Sequence, residues 1–546
     1  MARRKARALA AGVAASALAG GMIATAGTAS QPGPLDLTPV PAANTKSPGY
    51  APPNVLSQGL IQAAVAQGSV KLENGTAAIP FYGYDGDGPM VPLAGTTAEA
   101  TKTEPDKNTY LVLGGQRGAD PGYGYGRHFL YQGHEHAGPS ASGYITRINL
   151  DADGPHRVTL LADHDSSGNP LPAFDGSTWD PFARRLLFTA EDVKNGGVWQ
   201  ATPNVPSTVE DISGSLGRGG YEGIQNDSDG NLWLVEDVGG KAGATNTHAK
   251  QPNSFVYRFK SRRRGDLKSG TLQALQVTSL RTGQPIVFHD GQADADITSP
   301  DTQDLHTYGH VFRTRWITIH DTATDGSAPF SANALGKSKG ATPFKRPENG
   351  VFKPGSGFTR FVFTETGDTN ADTEAGAAGG GFGGLQELRQ SSPSADTGTL
   401  RLLYQGDVAH TGFDNVQFAS RDTVAVVEDG GDTLHTQRNA LDSGYLLDTR
   451  VNYGASGAPQ PVRWLAEGRD PSATIDSGLG AAGTPGFIND GDNEITGIHV
   501  SDGDPTAGGL LGAKVPRLFA DGWRAFWTQQ HGDNVTWELL PARERR

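Results

Sequence analysis

Short apolar runs rich in β-branched residues recur along the chain, and four of them stop at an acid: Phe188-Thr189-Ala190-Glu191-Asp192, Leu232-Trp233-Leu234-Val235-Glu236-Asp237, Phe361-Val362-Phe363-Thr364-Glu365 and Val424-Ala425-Val426-Val427-Glu428-Asp429. Runs this short are strand length, not helix length. Their spacing points to a repeat: Glu191 to Glu236 spans 45 residues, and Glu236 to Glu365 spans 129, three steps of 43. Four-stranded propeller blades repeat every roughly 40–50 residues. Turn signals fall where hairpins need them, at Asp229-Gly230-Asn231 and Asp153-Gly154. The pattern predicts an all-β, six-bladed β-propeller, with seven blades if the last segment forms its own sheet. Expected blades cover 109–150, 158–200, 221–260, 284–321, 350–405 and 412–465, with a closing segment over 493–540.

Composition agrees: 75 Gly, 34 Pro and 19% charged residues describe short strands joined by turns. Residues 1–30 differ, with Arg3, Arg4, Lys5 and Arg7 leading an apolar run and small residues at Ala24-Thr25-Ala26, the pattern of an export signal. The Arg3-Arg4 pair leaves the Sec and twin-arginine routes equally open. Residues 31–70 are Pro/Ala/Ser-rich and read as an extended or partly disordered arm, with structure beginning near Gln67 and 71–546 forming one propeller domain. No later stretch approaches the roughly 18 apolar residues of a membrane helix, so a secreted or extracytoplasmic protein without a membrane span is expected. The chain has no cysteine, so no disulfide braces it.

Formal net charge is −13, or −17 without the four basic residues of the signal. That excludes nucleic acid as a natural partner. It suits a protein that concentrates carboxylates to hold cations, with calcium the most available outside the cell. The basic run Arg262-Arg263-Arg264 reads as a hairpin tip, and 333–340 and 370–384 read as long loops.

A second set of acids stands just before the expected inner strands: Glu222 in Tyr221-Glu222-Gly223, Glu348 in Pro347-Glu348-Asn349, Asp414 in Asp414-Asn415-Val416 and Glu494 in Glu494-Ile495-Thr496. Two rings of carboxylates facing one axis make a polynuclear cation site. Two decoys are set aside. Gln225–Glu236 nearly fits a calcium loop but begins with Gln225, and Gly336-Lys337-Ser338-Lys339-Gly340 fits a nucleophile elbow without a preceding buried strand.

Taken together, Phe174-Asp175-Gly176, Gly217-Arg218-Gly219-Gly220-Tyr221-Glu222-Gly223, Arg346-Pro347-Glu348, Glu494-Ile495-Thr496-Gly497 and Trp527-Thr528-Gln529-Gln530-His531-Gly532-Asp533 resemble the PhoX alkaline phosphatase family. The resemblance implies a six-bladed propeller holding a two-iron, multi-calcium cluster that hydrolyses phosphate monoesters. It implies Glu222, Glu348 and Glu494 as core metal ligands, Glu191, Glu236 and Asp237 as calcium ligands, and Arg346 as the clamp on a small phosphorylated substrate. The family's iron-bound cysteine is missing, with Asp175 near its place, which favours calcium or manganese over iron. A second family arginine is replaced within Asn489-Asp490-Gly491-Asp492-Asn493. Two readings follow: an exported, monomeric metal-dependent phosphatase with Arg346 and Glu348 at the chemistry, or a non-catalytic calcium-stabilised propeller that binds a glycan, peptide or other ligand. His531 reads as structural, with His134, His136 and His499 equally placed.

Overall fold

The computed structural model describes residues 37–46, 53–85, 101–136, 143–192, 194–468, 494–530 and 534–542. The expected export signal lies outside the described residues, as do His531 and 489–493.

Six antiparallel meanders follow one another along the chain. Their first strands are Thr101–Val112, Ser177–Asp180, Tyr221–Asn226, Gly350–Phe352, Phe413–Phe418 and Glu494–Ser501. Each pairs with a second strand: His128–His136, Arg185–Ala190, Leu232–Glu236, Arg360–Glu365, Thr423–Glu428 and Arg524–Gln530. The hydrophobic cores lie between successive sheets. Phe129 and Tyr131 meet Leu186 and Phe188, Leu187 and Val198 meet Leu234 and Tyr257, and Trp233 and Val235 meet Phe352 and Phe361. Val362 and Leu385 meet Val416 and Val424, Val427 and Trp464 meet Ile495 and Trp527, and Phe526 meets Tyr110 and Leu130. The last contact returns from the sixth sheet to the first, so the ring closes as a β-propeller. A sheet covered on both faces buries both sets of its side chains. Leu232–Glu236 and Thr423–Glu428 are accordingly buried throughout, which is why they read as unbroken apolar runs.

Three sequence expectations are corrected. Residues 284–321 are not a blade: they hold the short helices Ala293–Ile297 and Pro300–Leu305 and one strand, Phe312–Asp321. That strand pairs with Gly270–Val277 on one side and Thr397–Gln405 on the other, fusing the third and fourth sheets into nine strands. The closing segment forms the sixth sheet with Leu60–Ala66 as its outer strand, and Val55–Leu56 adds to the fifth. Ordered pairing therefore starts inside the expected arm, well before Gln67. Finally, 333–340 is not a loop but most of the helix Ala332–Lys339, where Ser331 Oγ accepts the Ala334 N–H and Gly340 ends the helix at φ 77°. Ser338 thus lies on a helix and not at a strand-to-helix elbow. Among the described residues no helix is long and apolar enough to cross a membrane.

Removal of the chain through Ala66 would strip the partner of Val535–Pro541 and leave a bare edge in the ring. The truncated protein is expected to melt about 10 °C lower or to aggregate; calorimetry giving an unchanged Tm would contradict this closure.

Candidate metal centre

In four first strands the pairing register breaks at the same level: between Pro105 and Asn108, Tyr221 and Ile224, Phe413 and Val416, and Thr496 and His499. A regular strand sends neighbouring side chains to opposite faces, whereas a bulge re-aims them. Asp106-Lys107, Glu222-Gly223 and Asp414-Asn415 occupy three of these bulges. Small residues beside the acids let the strands close in: a Cβ on Gly176 would lie 1.9 Å from Glu222 O, and Gly223 N–H donates to Glu348 O at 2.8 Å.

Two carboxylate groups result. Oxygens of Asp106, Glu135 and Asp175 lie within 4.8 Å of one another, and so do those of Glu222, Glu348 and Asp414. The members come from the first and second sheets in one group, and from the third, fourth and fifth in the other, so they meet at the axis. A like-charge pair at this separation costs about 3–4 kcal/mol at an effective dielectric of ~20. Asp175, Glu222, Glu348 and Asp414 are buried, and at least one oxygen of each, Asp175 Oδ1, Glu222 Oε2, both of Glu348 and Asp414 Oδ2, accepts no hydrogen bond. Burial, with added repulsion from neighbouring carboxylates, pushes Asp175, Glu222 and Asp414 well above the usual range. Burial raises Glu348 in the same way although Arg346 opposes it, and lifts Asp106 to about 6 against hydrogen bonds from Thr496 and the Lys107 N–H.

A polar belt holds the acids in place. Lys107 Nζ donates to Asn349 Oδ1. Asn349 Nδ2 donates to Asn415 Oδ1 at 3.2 Å, Asn415 Nδ2 to Thr496 Oγ1 at 3.1 Å, and Thr496 Oγ1 to Asp106 Oδ1 at 2.7 Å. Gln530 Nε2 closes on Asp106 Oδ2 at 2.8 Å. Burial brings the Lys107 ammonium down to about 8, against the pull of Asp414, Asp106, Asp175 and Glu222.

Toward solvent the group opens out. Glu191 is exposed, and Glu135, Asp429, Glu494 and Arg346 are half-buried. The charges pressing on Glu494 are those of Asp429, Asp414, Asp106 and Glu135, so it belongs to this ensemble. Asp237 and Glu191 adjoin: burial pushes Asp237 up, but the Arg346 guanidinium outweighs it and holds the carboxyl below its ordinary value. Arg346, in the left-handed region at φ 56°, gives Nε (2.9 Å) and Nη2 (2.7 Å) to Asp237. Its Nη2 also stands 2.9 Å from Glu348 Oε1, off the hydrogen-bonding direction. The expected phosphate clamp is therefore already engaged, with Nη1 its one nitrogen lacking a partner among the described residues.

Of the predicted ligands, Asp175, Glu191, Glu222, Asp237, Glu348 and Glu494 are brought together. Glu236 is not. Its carboxylate accepts from Phe255 N–H (3.2 Å), Tyr257 Oη (2.9 Å) and Asn333 Nδ2 (3.0 Å), and burial raises it to about 7 against those donors. Glu236 is the last residue of its strand and Asp237 the first beyond it, and successive residues there send their side chains to opposite sides. Glu365 and Glu428 follow Glu236, the first held by His306, Gln386 and Lys345 N–H, the second by Arg438, Thr411 N–H and Ser443 N–H. Asp106, Lys107 and Glu135 were missed; Pro105 inside a strand was the available signal of a bulge. His134 packs against Tyr82 and Tyr144 with burial holding it neutral, and His499 accepts the Tyr110 N–H, so both are structural. The side chain of His136 lies outside the described residues.

Fold and site together define a β-propeller with a polycarboxylate centre at its axis. Among solved structures the chain is similar to Pseudomonas fluorescens PhoX in complex with vanadate, a transition-state analogue: the TM-score is 0.53 at 11% identity, covering 92% of this chain and 98% of that one. The protein thus has a PhoX-like propeller fold. The WD40 domain of Toxoplasma gondii coronin aligns at a TM-score of 0.35 and 9% identity over 91% of this chain and 90% of that one, too distant to add to this. No protein-family profile and no curated protein matches the sequence.

Carboxyls of the centre raised on folding stabilise the protein while protonated, and that stability is lost as pH climbs from unfolded values of about 4 through the raised ones, about 6 for Asp106. Depressed groups such as Asp237 and Glu365 act in the opposite sense only below that window. In chelator, Tm is expected to fall between pH 5 and 8, and added calcium should abolish the fall. A chelated Tm that rises over this range would contradict the picture of crowded, raised carboxylates.

Proposed function

We propose that the protein is an exported, metal-dependent phosphatase that hydrolyses phosphate monoesters at the axial carboxylate centre. The observation that carries this reading is the set of buried carboxylate oxygens without donors beside a guanidinium near solvent. The residues fit hard cations: every donor of both groups is an oxygen, with neither thiolate nor imidazole among them, which suits calcium, manganese or magnesium. Asp106, Glu135 and Asp175 would hold one ion and Glu222, Glu348 and Asp414 another, with Glu191, Asp237 and Glu494 completing the solvent side. Such ions polarise a phosphoryl group and lower the pKa of water. They would also reverse the local potential of an acidic protein enough to admit an anion.

Arg346 would place the substrate. Its Nη1 is open to one phosphate oxygen, while Asp237 fixes the plane of the guanidinium through Nε and Nη2. Glu348, two residues on and against the same guanidinium, couples the phosphate position to the ion below it. The reaction adds water to phosphorus as the ester oxygen leaves with a proton, giving inorganic phosphate and an alcohol.

The alternative, a cation-stabilised propeller that binds ligands without catalysis, is favoured by one observation: the bidentate Arg346–Asp237 pair is what a structural ion pair would look like. Metal analysis and p-nitrophenyl phosphate hydrolysis with calcium, manganese or iron separate the two. Turnover is expected, with Arg346→Ala and Glu348→Gln each reducing kcat/KM by about 100-fold or more at an unchanged fold. A protein that carries metal yet shows no turnover with any of the three would leave the binding reading in its place.

A further inference from the structure

A cleft of about 1040 Å³ shares no lining residue with the carboxylate centre. It is bounded by segments 239–253 and 288–295 and by the helix Ala332–Lys339. Clefts of this size, roughly 300–1,000 Å³, are where small organic ligands bind.

Its walls are stitched to one another. Asp294 accepts from the backbone N–H groups of Ala244 (2.8 Å), Thr245 (3.1 Å) and Asn246 (2.9 Å), and from the side chains of Thr245 and Asn246. Asp296 accepts from Gln251 Nε2 at 2.7 Å and from His289 N–H at 3.0 Å. A cleft held open this way needs little ordering when it fills.

Its charge is the second observation. Lys241 and Lys337 both line it, and neither ammonium makes a hydrogen bond or ion pair with a described residue. They feel each other: burial depresses Lys337, Glu236 and Asp290 oppose this, and the charge of Lys241 adds to the depression. Lys337 Nζ rests 4.3 Å from the centre of the Phe288 ring. Of the two acids at the cleft, Asp294 is consumed by the bonds above, while Asp290 is exposed, as Lys241 is, and forms no ion pair with either lysine among the described residues. In a chain of net charge −13, two cations that make no hydrogen bond or ion pair with a described residue, on one cleft beside an aromatic ring, mark a place for an anion.

We propose that this cleft is a second ligand site, taking a small organic anion whose carboxylate or phosphate bridges Lys241 and Lys337 while its apolar part lies against Phe288. The site is independent of the phosphatase reading. Calorimetric titration with benzoate and with phenylphosphonate tests it and tells the two anion types apart. Wild-type protein is expected to bind at least one probe, and the double variant Lys241→Gln/Lys337→Gln to bind it about tenfold or more weakly with Tm and p-nitrophenyl phosphate turnover unchanged. Arg346→Ala should keep the probe, which separates this cleft from the axial centre. Failure of the wild type to bind either probe, or equal binding by the double variant, would overturn the proposal; should the double variant melt early, Phe288→Ala is expected to show the same loss.

Discussion

Like-charge repulsion at the axis is the constraint around which the protein is organised. Five buried carboxylates, Asp106, Asp175, Glu222, Glu348 and Asp414, converge from five of the six sheets, with Lys107 and Arg346 the cations set among them. Each close pair opposes folding by about 3–4 kcal/mol once both of its members are ionised. What holds them together is remote from them: six apolar interfaces between successive sheets, closed into a ring in which no sheet can retreat from the axis without opening two cores. The belt from Lys107 through Asn349, Asn415 and Thr496 to Asp106 then fixes the acids laterally. A polar group left without a donor in such a place is costly, and a cation is the economical remedy.

The acids that recur at the second-strand ends have a different task. Glu236 and Glu428 accept backbone N–H groups where the chain enters the third strand, Phe255 and Ser443, while Glu365 takes the side chain of Gln386 on that strand. One repeated device thus ties second strand to third in successive sheets. The axial role passes to the residue after the glutamate, Asp237 in the third sheet, because a strand turns over at each step. In the second sheet the order differs: Glu191 joins the centre, and Asp192 caps an exposed turn through Lys194 N–H.

The likeness to PhoX is one of fold, and fold leaves chemistry open. What bears on chemistry here is local: oxygen-only donor groups, a guanidinium fixed by Asp237, and a rim that admits water at Glu191. The cleft beside Lys241 and Lys337 shows the same separation on a larger scale. Binding surfaces of a propeller belong to the loops and helices inserted between strands, here 239–253 and 332–339, whose sequences follow no repeat.

Sequence alone determined the strand content and the acid-rich character of one end of the strands, because a sheet buried on both faces needs unbroken apolar runs; the 43-residue period it suggested does not hold, since Glu236 and Glu365 end the second strands of successive sheets and stand one step apart, not three. Glu222, Glu348, Asp414 and Glu494 were legible as acids standing just before the expected inner strands, whereas Asp175 was reached only through the family resemblance. Only the tertiary structure decided which acids meet. Residues 284–321 proved a bridging strand, the N-terminal strands closed the ring, and Asp106 and Glu135 joined the centre through a bulge at Pro105. Glu236 was turned away from it by alternation. A strand's period says that neighbours face opposite ways; which way is the axis is set by closure of the ring, a contact between residues hundreds of positions apart.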